Sequence, residues 1–168
     1  MTTPRRILLG FATGEECRSV LETALGMARE TEAELVAILA RDETLTAASG
    51  IPCVSVRSLA YSRWEQIDEG VMKRAFAAEA VRLETLIASG AQARNVRWSF
   101  RTASPERVQE DWGETDILLL PRSLRLDQDT PAEARSETGP LTRYILRLER
   151  IGYRVILKPS TTGNNPGS

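Results

Sequence analysis

Short apolar runs alternate with longer amphipathic stretches along this chain. The runs at 5–11 and 34–40 are apolar at most positions, which is typical of strands buried on both faces of a sheet. Between them, one apolar stripe at helical spacing predicts a helix through about Glu30; its members are Cys17, Val20, Leu21, Ala24, Leu25 and Ala28. A capping box begins this helix, because the Thr13 hydroxyl can accept from the Glu16 amide while the Glu16 carboxylate reaches back to the Thr13 amide.

The second half of the chain continues the alternation. A long amphipathic helix is predicted over 71–90, and Gly90 is suited to the left-handed position that ends a helix. Residues 41–66 show no sustained period apart from an extended piece at 54–57. The remaining predicted elements are strands at 96–101, 117–120 and 152–157, a short helix begun by Ser104 and ended by Gly113, and a final helix over 141–151.

The order of these elements predicts the class of fold. Strands alternate with helices, and right-handed crossovers between parallel strands place the helices on both faces of a sheet. We therefore predict an α/β fold with a mostly parallel five-stranded sheet. A chain of 168 residues is most simply one domain, over 1–158. Residues 159–168 carry no side chain able to anchor a core, which predicts a disordered tail.

Charge and residue content exclude several classes of function. The chain carries 22 Lys and Arg against 23 Asp and Glu, so it lacks the positive field on which non-specific nucleic-acid binding depends. It contains no histidine, which excludes Ser-His-Asp and Cys-His catalysis and histidine-based metal sites. The apolar run at 7–11 is too short for a signal peptide or a membrane span, and Cys17 and Cys53 form no disulfide or metal pattern. We expect a cytoplasmic protein without membrane insertion.

Three segments, taken in their order and spacing, resemble a universal stress protein domain of the adenine-nucleotide alpha-hydrolase-like superfamily. They are RILL at 6–9, AELVAI at 33–38 and TDILLL at 115–120, and the long gap after the second strand also fits. The resemblance extends over about residues 5–158. It implies a doubly wound, Rossmann-like parallel sheet with strand order 3-2-1-4-5. It also implies homodimers that form through the last strand, here Val155, Ile156 and Leu157.

The resemblance places a ligand crevice beyond the carboxyl ends of the strands, where the winding reverses. The crevice would lie between the loop after the first strand and the loop after the fourth. The six residues that these loops contribute are Ala12, Thr13, Gly14, Arg122, Ser123 and Arg125.

This chain departs from the ATP-binding members of that family at the crevice. They carry an aspartate directly after the first strand, where this chain has Ala12. They also carry glycines after the fourth strand, whose amides hold phosphates, whereas here no glycine follows until Gly139, and Pro140 after it has no amide hydrogen. Glu15 and Glu16 occupy the first turn of the first helix, where they repel a triphosphate. The sequence therefore predicts no ATP or other cofactor.

These observations predict a non-enzymatic domain of a stress or regulatory response, without a catalytic residue or a metal, that acts as a homodimer or through another protein partner. The alternative is an ATP- or AMP-binding sensor, or a weak ATPase, whose phosphate site uses Arg122, Ser123 and Arg125.

Two further features admit more than one interpretation. The position of Cys17 on the apolar stripe favours a buried, inert thiol over a redox sensor at the start of a helix. Arg143, Arg147 and Arg150 form a basic ridge on the final helix. We interpret the ridge as a solvated face, with an acidic partner or a membrane surface as the alternative.

Overall fold

The computed structural model describes residues 4–41, 55–58, 63–66, 69–104, 107, 112–113, 115–124 and 139–157. The strands within them are β1 (Arg6–Phe11), β2 (Glu34–Ala40), β3 (Ser55–Ser58), β4 (Arg63–Gln66), β5 (Trp98–Ala103), β6 (Ile117–Pro121) and β7 (Tyr153–Leu157). The helices are α1 (Gly14–Thr31), α2 (Glu69–Ala93) and α3 (Thr142–Arg150), the last preceded by a 3-10 turn at Gly139–Leu141.

Five of these strands form the main sheet, in the order β5-β2-β1-β6-β7. Numbered within this sheet, the order is the predicted 3-2-1-4-5, and the α/β, Rossmann-like class of fold is confirmed. β1 lies in the middle, parallel to both neighbours, with Leu8 opposite Val36 on one side and Leu118 on the other. β3 and β4 form a separate antiparallel hairpin, of which the sequence predicted only the first strand.

The last strand departs from the predicted parallel sheet, because β7 runs antiparallel to β6. Its direction follows from the position of α3. At the start of α3, Tyr144 packs on α1 so closely that a Cβ on Gly26 would lie 3.2 Å from its ring. Arg143 bonds there to Glu30, near the end of α1. α3 therefore begins where the parallel strands begin and runs towards their carboxyl ends. A parallel β7 would require its connecting helix on the other face, since such crossovers are right-handed.

A two-residue turn reverses the chain between α3 and β7. Gly152 has a φ of 85°, in the left-handed region that favours glycine. Its carbonyl accepts from the Arg122 amide at 3.0 Å, directly after β6. Tyr153, the first residue of β7, therefore lies beside the carboxyl end of β6.

Both faces of the sheet are buried. The three described helices pack on one face, against Ile7, Leu9 and Phe11 of β1 and the equivalent residues of its neighbours. The other face has its own apolar cluster, formed by Leu8, Val36, Ile38, Ala40, Leu118, Leu120, Leu124 and Ile156, with Trp112 packed against it. The short helix predicted from Ser104, which would cover that second face, falls largely outside the described residues, as does the predicted tail at 159–168.

A buried ion pair joins the beginnings of β1 and β6. The Asp116 side chain is 2 % exposed and accepts from Nη2 of Arg6 at 2.6 Å. The same carboxylate oxygen accepts from the Gly113 amide at 2.8 Å. Because a buried carboxylate is costly unless it is paired and hydrogen-bonded, these contacts hold the two strands together where they enter the sheet.

The end of α2 corrects the interpretation of Gly90. The helix continues past Gly90 to Ala93, and the left-handed position is taken by Asn95, with a φ of 54°. The Val96 amide donates to the Ala91 carbonyl at 2.9 Å, which completes the cap. Gly90 instead allows close packing, because a Cβ there would lie 2.8 Å from Cδ1 of Leu25 on α1.

The end of α1 generates a prediction about stability. Glu32 has a φ of 54°, a conformation that costs an L side chain free energy that glycine does not pay. We expect Glu32→Gly to raise the free energy of unfolding by about 0.5 to 1 kcal/mol, measured by urea denaturation. The matched control is Asn95→Gly, with a smaller gain, because asparagine tolerates this region better. A loss of stability in Glu32→Gly contradicts the prediction.

Candidate functional site

The loops after β1 and β6 meet at the carboxyl edge of the sheet. The two strands are adjacent and parallel, with Ile7 opposite Ile117 and Leu9 opposite Leu119. The residues that follow them therefore emerge side by side, at the reversal of winding where ligands of this class of fold bind. Of the six residues predicted to line a crevice, Ala12, Thr13, Gly14, Arg122 and Ser123 lie at this edge, and Arg125 lies outside the described residues.

Glu16 connects the two loops. Its carboxylate accepts from the Ala12 amide at 2.7 Å and from the Ser123 hydroxyl at 2.8 Å. The Glu16 amide donates to Oγ1 of Thr13 at 3.2 Å, so this half of the predicted capping box is confirmed. The other half differs by one residue, because the carboxylate reaches the amide of Ala12 rather than that of Thr13. Glu16 thus contributes its backbone amide to the Thr13 cap of α1 and its carboxylate to the bridge across the crevice.

Four donors at this edge are engaged within the protein. The Ala12 amide and the Ser123 hydroxyl both donate hydrogen bonds to the Glu16 carboxylate. After β6, the amide of Arg122 donates to Gly152 and that of Leu124 donates to Pro121, each at 3.0 Å. A phosphate loop works by presenting free backbone amides to the ligand, and these two amides stabilise the turn instead.

A second carboxylate lies against the first turn of α1. Gly14 is buried, and a Cβ there would collide with Oε1 of Glu79 from α2. Gly14 was predicted as a crevice residue; its role in the structure is to admit the Glu79 side chain. The sequence offered no signal for this contact, because Glu79 lies on a different helix. The start of α1, where a helix favours negative charge, thus has Glu16 and Glu79 beside it.

Burial keeps the two titratable groups beneath the crevice neutral. The Tyr153 hydroxyl donates to the Gly10 carbonyl at 3.2 Å. Burial raises the pKa of Tyr153 well above its usual value, and the charge of Glu16 adds to this. Burial also raises the pKa of Cys17 to about 11, although Arg18 acts in the opposite direction. Neither group is an activated nucleophile, and the inert interpretation of Cys17 is favoured.

The pKa of Cys17 generates a testable prediction about thiol reactivity. A rise from 9.0 to about 11 lowers the thiolate fraction near neutral pH about a hundredfold. In a Cys53→Ser variant, we expect the single remaining thiol to react with iodoacetamide about a hundredfold more slowly in the native state than in urea, at pH 7. The urea sample is the control. A native rate within tenfold of the unfolded rate contradicts the burial of Cys17.

The three arginines of the basic ridge on α3 differ in their contacts within the protein. Arg143 donates to Glu30, and its guanidinium lies over the Tyr144 ring, 4.8 Å from its centre. The Tyr144 hydroxyl, and then Arg143, hold the pKa of Glu30 below its usual value. Arg147 and Arg150 are exposed. The ridge that the sequence presented as three equivalent arginines therefore contains one that fastens α3 to α1.

Within the described residues, no group of three or more Asp, Glu, Cys or His side chains is placed to hold a metal ion. None of the described helices combines the length and the apolar character needed to cross a membrane. In comparisons with known proteins, no protein-family model, no curated protein and no solved structure matches this chain.

Proposed function

We propose that this chain is a universal stress protein-like domain that does not bind ATP, and that it acts in a stress or regulatory response by forming a homodimer or by contacting another protein. The strand order is the one that this resemblance implies. The observation that carries the proposal is the Glu16 carboxylate, which holds the Ala12 amide and the Ser123 hydroxyl at the place where a phosphate would lie.

Electrostatics supports the exclusion of a nucleotide. A phosphate in this position loses both donors to Glu16 and meets its negative charge. Two like charges about 4 Å apart repel by about 4 kcal/mol at an effective dielectric constant near 20. That energy corresponds to about three orders of magnitude in affinity. Arg122 is exposed at this edge and could supply one positive charge to a phosphate. A phosphate loop instead supplies several backbone amides as hydrogen-bond donors.

Nucleotide binding is tested by thermal unfolding with millimolar Mg-ATP, ADP or AMP. A ligand present at 100 times its dissociation constant adds about 2.7 kcal/mol of stability, which shifts the melting temperature by several degrees. We expect no shift for the wild-type protein. A shift that Arg122→Ala or Arg125→Ala removes, and that the control Arg82→Ala on α2 retains, overturns the proposal in favour of the nucleotide sensor.

The geometry of β7 supports self-association. β7 is the last strand of the sheet and pairs with β6 on one side. The predicted interface residues Val155 and Ile156 are already buried in the two core clusters, so a contact between copies would use the outer backbone edge of β7. Leu146 of α3 lies about 200° around the helix from Tyr144, which faces α1. It is therefore directed away from α1, on the side of β7, and it is 50 % exposed.

The proposed homodimer is tested by light scattering after size-exclusion chromatography. We expect a dimer at about 50 μM for the wild-type protein and a monomer for Leu146→Lys, because two buried ammonium groups would meet at the interface. The control is Val81→Lys, which charges an aliphatic side chain of α2 that is 62 % exposed. A wild-type monomer at this concentration removes the dimer from the proposal, and equal dissociation of the two variants removes Leu146 and β7 as its interface.

A further inference from the structure

A groove lies between α1 and α2, away from the crevice described above. Its volume is about 370 Å³, within the range of pockets that hold small organic ligands. α1 and α2 are parallel, since both connect the end of one parallel strand to the start of the next. The groove is lined by Arg18, Leu21, Glu22 and Leu25 from α1, by Leu86, Ser89, Gly90 and Ala93 from α2, and by Arg94, which directly follows α2.

The interior of the groove is apolar. Leu21 and Leu25 are buried at its base, and Leu86 forms part of its wall with 37 % of its surface exposed. The α2 side is otherwise built from small residues, Ser89, Gly90 and Ala93, which leave the space open. Gly90 also lets the helices approach closely, since a Cβ there would lie 2.8 Å from Cδ1 of Leu25. The result is an open surface groove with a mostly aliphatic floor.

The rim of the groove carries three charged side chains. It holds two arginines, Arg18 and Arg94, and one carboxylate, Glu22. Arg94 is largely covered, with its side chain 32 % exposed, whereas that of Glu22 is 87 % exposed. Their closest atoms, Nη2 of Arg94 and Oε1 of Glu22, are 3.7 Å apart, which is too long for a hydrogen bond. An exposed pair of this kind contributes little, so Glu22 is a weak partner that a better carboxylate can displace.

We propose that this groove binds a small amphiphilic carboxylate, with its aliphatic chain along Leu21, Leu25 and Leu86 and its carboxylate on the guanidinium of Arg94. The apolar base fits the chain, and the planar guanidinium fits a carboxylate with two parallel hydrogen bonds. Glu22 competes for the same guanidinium. The site does not involve the crevice, so the proposal is independent of the function proposed above.

Because Glu22 competes with the ligand for the Arg94 guanidinium, substitutions at these two residues distinguish a specific site from a non-specific hydrophobic surface. Arg94→Ala removes the partner of the ligand and is expected to weaken binding at least tenfold. Glu22→Gln removes the competing charge and is expected to tighten binding twofold to fivefold, on the scale of an exposed ion pair. A hydrophobic surface without the arginine contact responds to neither substitution in this way.

The experiment is a titration of the full-length protein with sodium decanoate, followed by amide chemical shifts in ¹H–¹⁵N NMR spectra. We expect saturable shifts concentrated at α1 and α2 residues of the groove, with the two changes in affinity stated above. Arg82→Ala is the matched control, because Arg82 is an exposed arginine of α2 that does not line the groove. Ser89→Trp places a large side chain from the exposed rim into the groove and is expected to abolish the shifts.

Three results would overturn the proposal. The first is the absence of saturable shifts at millimolar decanoate, with the protein folded as judged by its spectrum. The second is an equal affinity in Arg94→Ala and Arg82→Ala. The third is binding of the uncharged decanol as tight as that of decanoate, which would show that the guanidinium contributes nothing.

Discussion

The burial of β1 on both faces is the constraint on which the rest of the structure depends. Ile7, Leu8 and Leu9 have no exposed surface, so the centre of the sheet has no place for a polar side chain. Beside β1, charged groups are confined to the two ends of the strand. Arg6 meets Asp116 where β1 begins, and Glu16 meets Ser123 beyond the point where β1 ends. Any chemistry that this fold performs near β1 must therefore be supplied by loops.

At the carboxyl edge, stability and ligand binding compete for the same few donors. Glu16 donates its amide to the Thr13 cap of α1, and its carboxylate joins two loops and places a negative charge in the crevice. Each of these contacts is intramolecular and forms without a ligand. Proteins commonly keep binding sites less well satisfied than the rest of the fold, because free donors are what a ligand needs. At this edge the donors of Ala12 and Ser123 are already taken by Glu16, which is why we propose a function through protein contacts elsewhere on the domain and not through a nucleotide bound here.

The sequence predicted those elements that local patterning determines. β1, β2, β6 and α1 lie within a residue or two of their predicted bounds, because continuous apolar runs and a capping box identify them. Local patterning could not predict the direction of β7. That direction depends on the packing of Tyr144 against Gly26, which lies more than a hundred residues earlier in the chain. Gly90 shows a different limit: a glycine that ends a helix and one that admits a neighbouring helix look alike in sequence. At the site, the Thr13 cap was predictable, whereas Ser123 is 107 residues from Glu16. Family and function remain predictions.

The reversed last strand also determines where the chain enters and leaves the sheet. Leu157 lies opposite Ile117, which in turn lies opposite Ile7. The outer ends of β1 and β7 are thus two strand spacings apart, about 10 Å, at the edge opposite the crevice. In a parallel arrangement these ends would lie on opposite edges. A short linker would be enough to join these two ends, so the fold is suited to circular permutation.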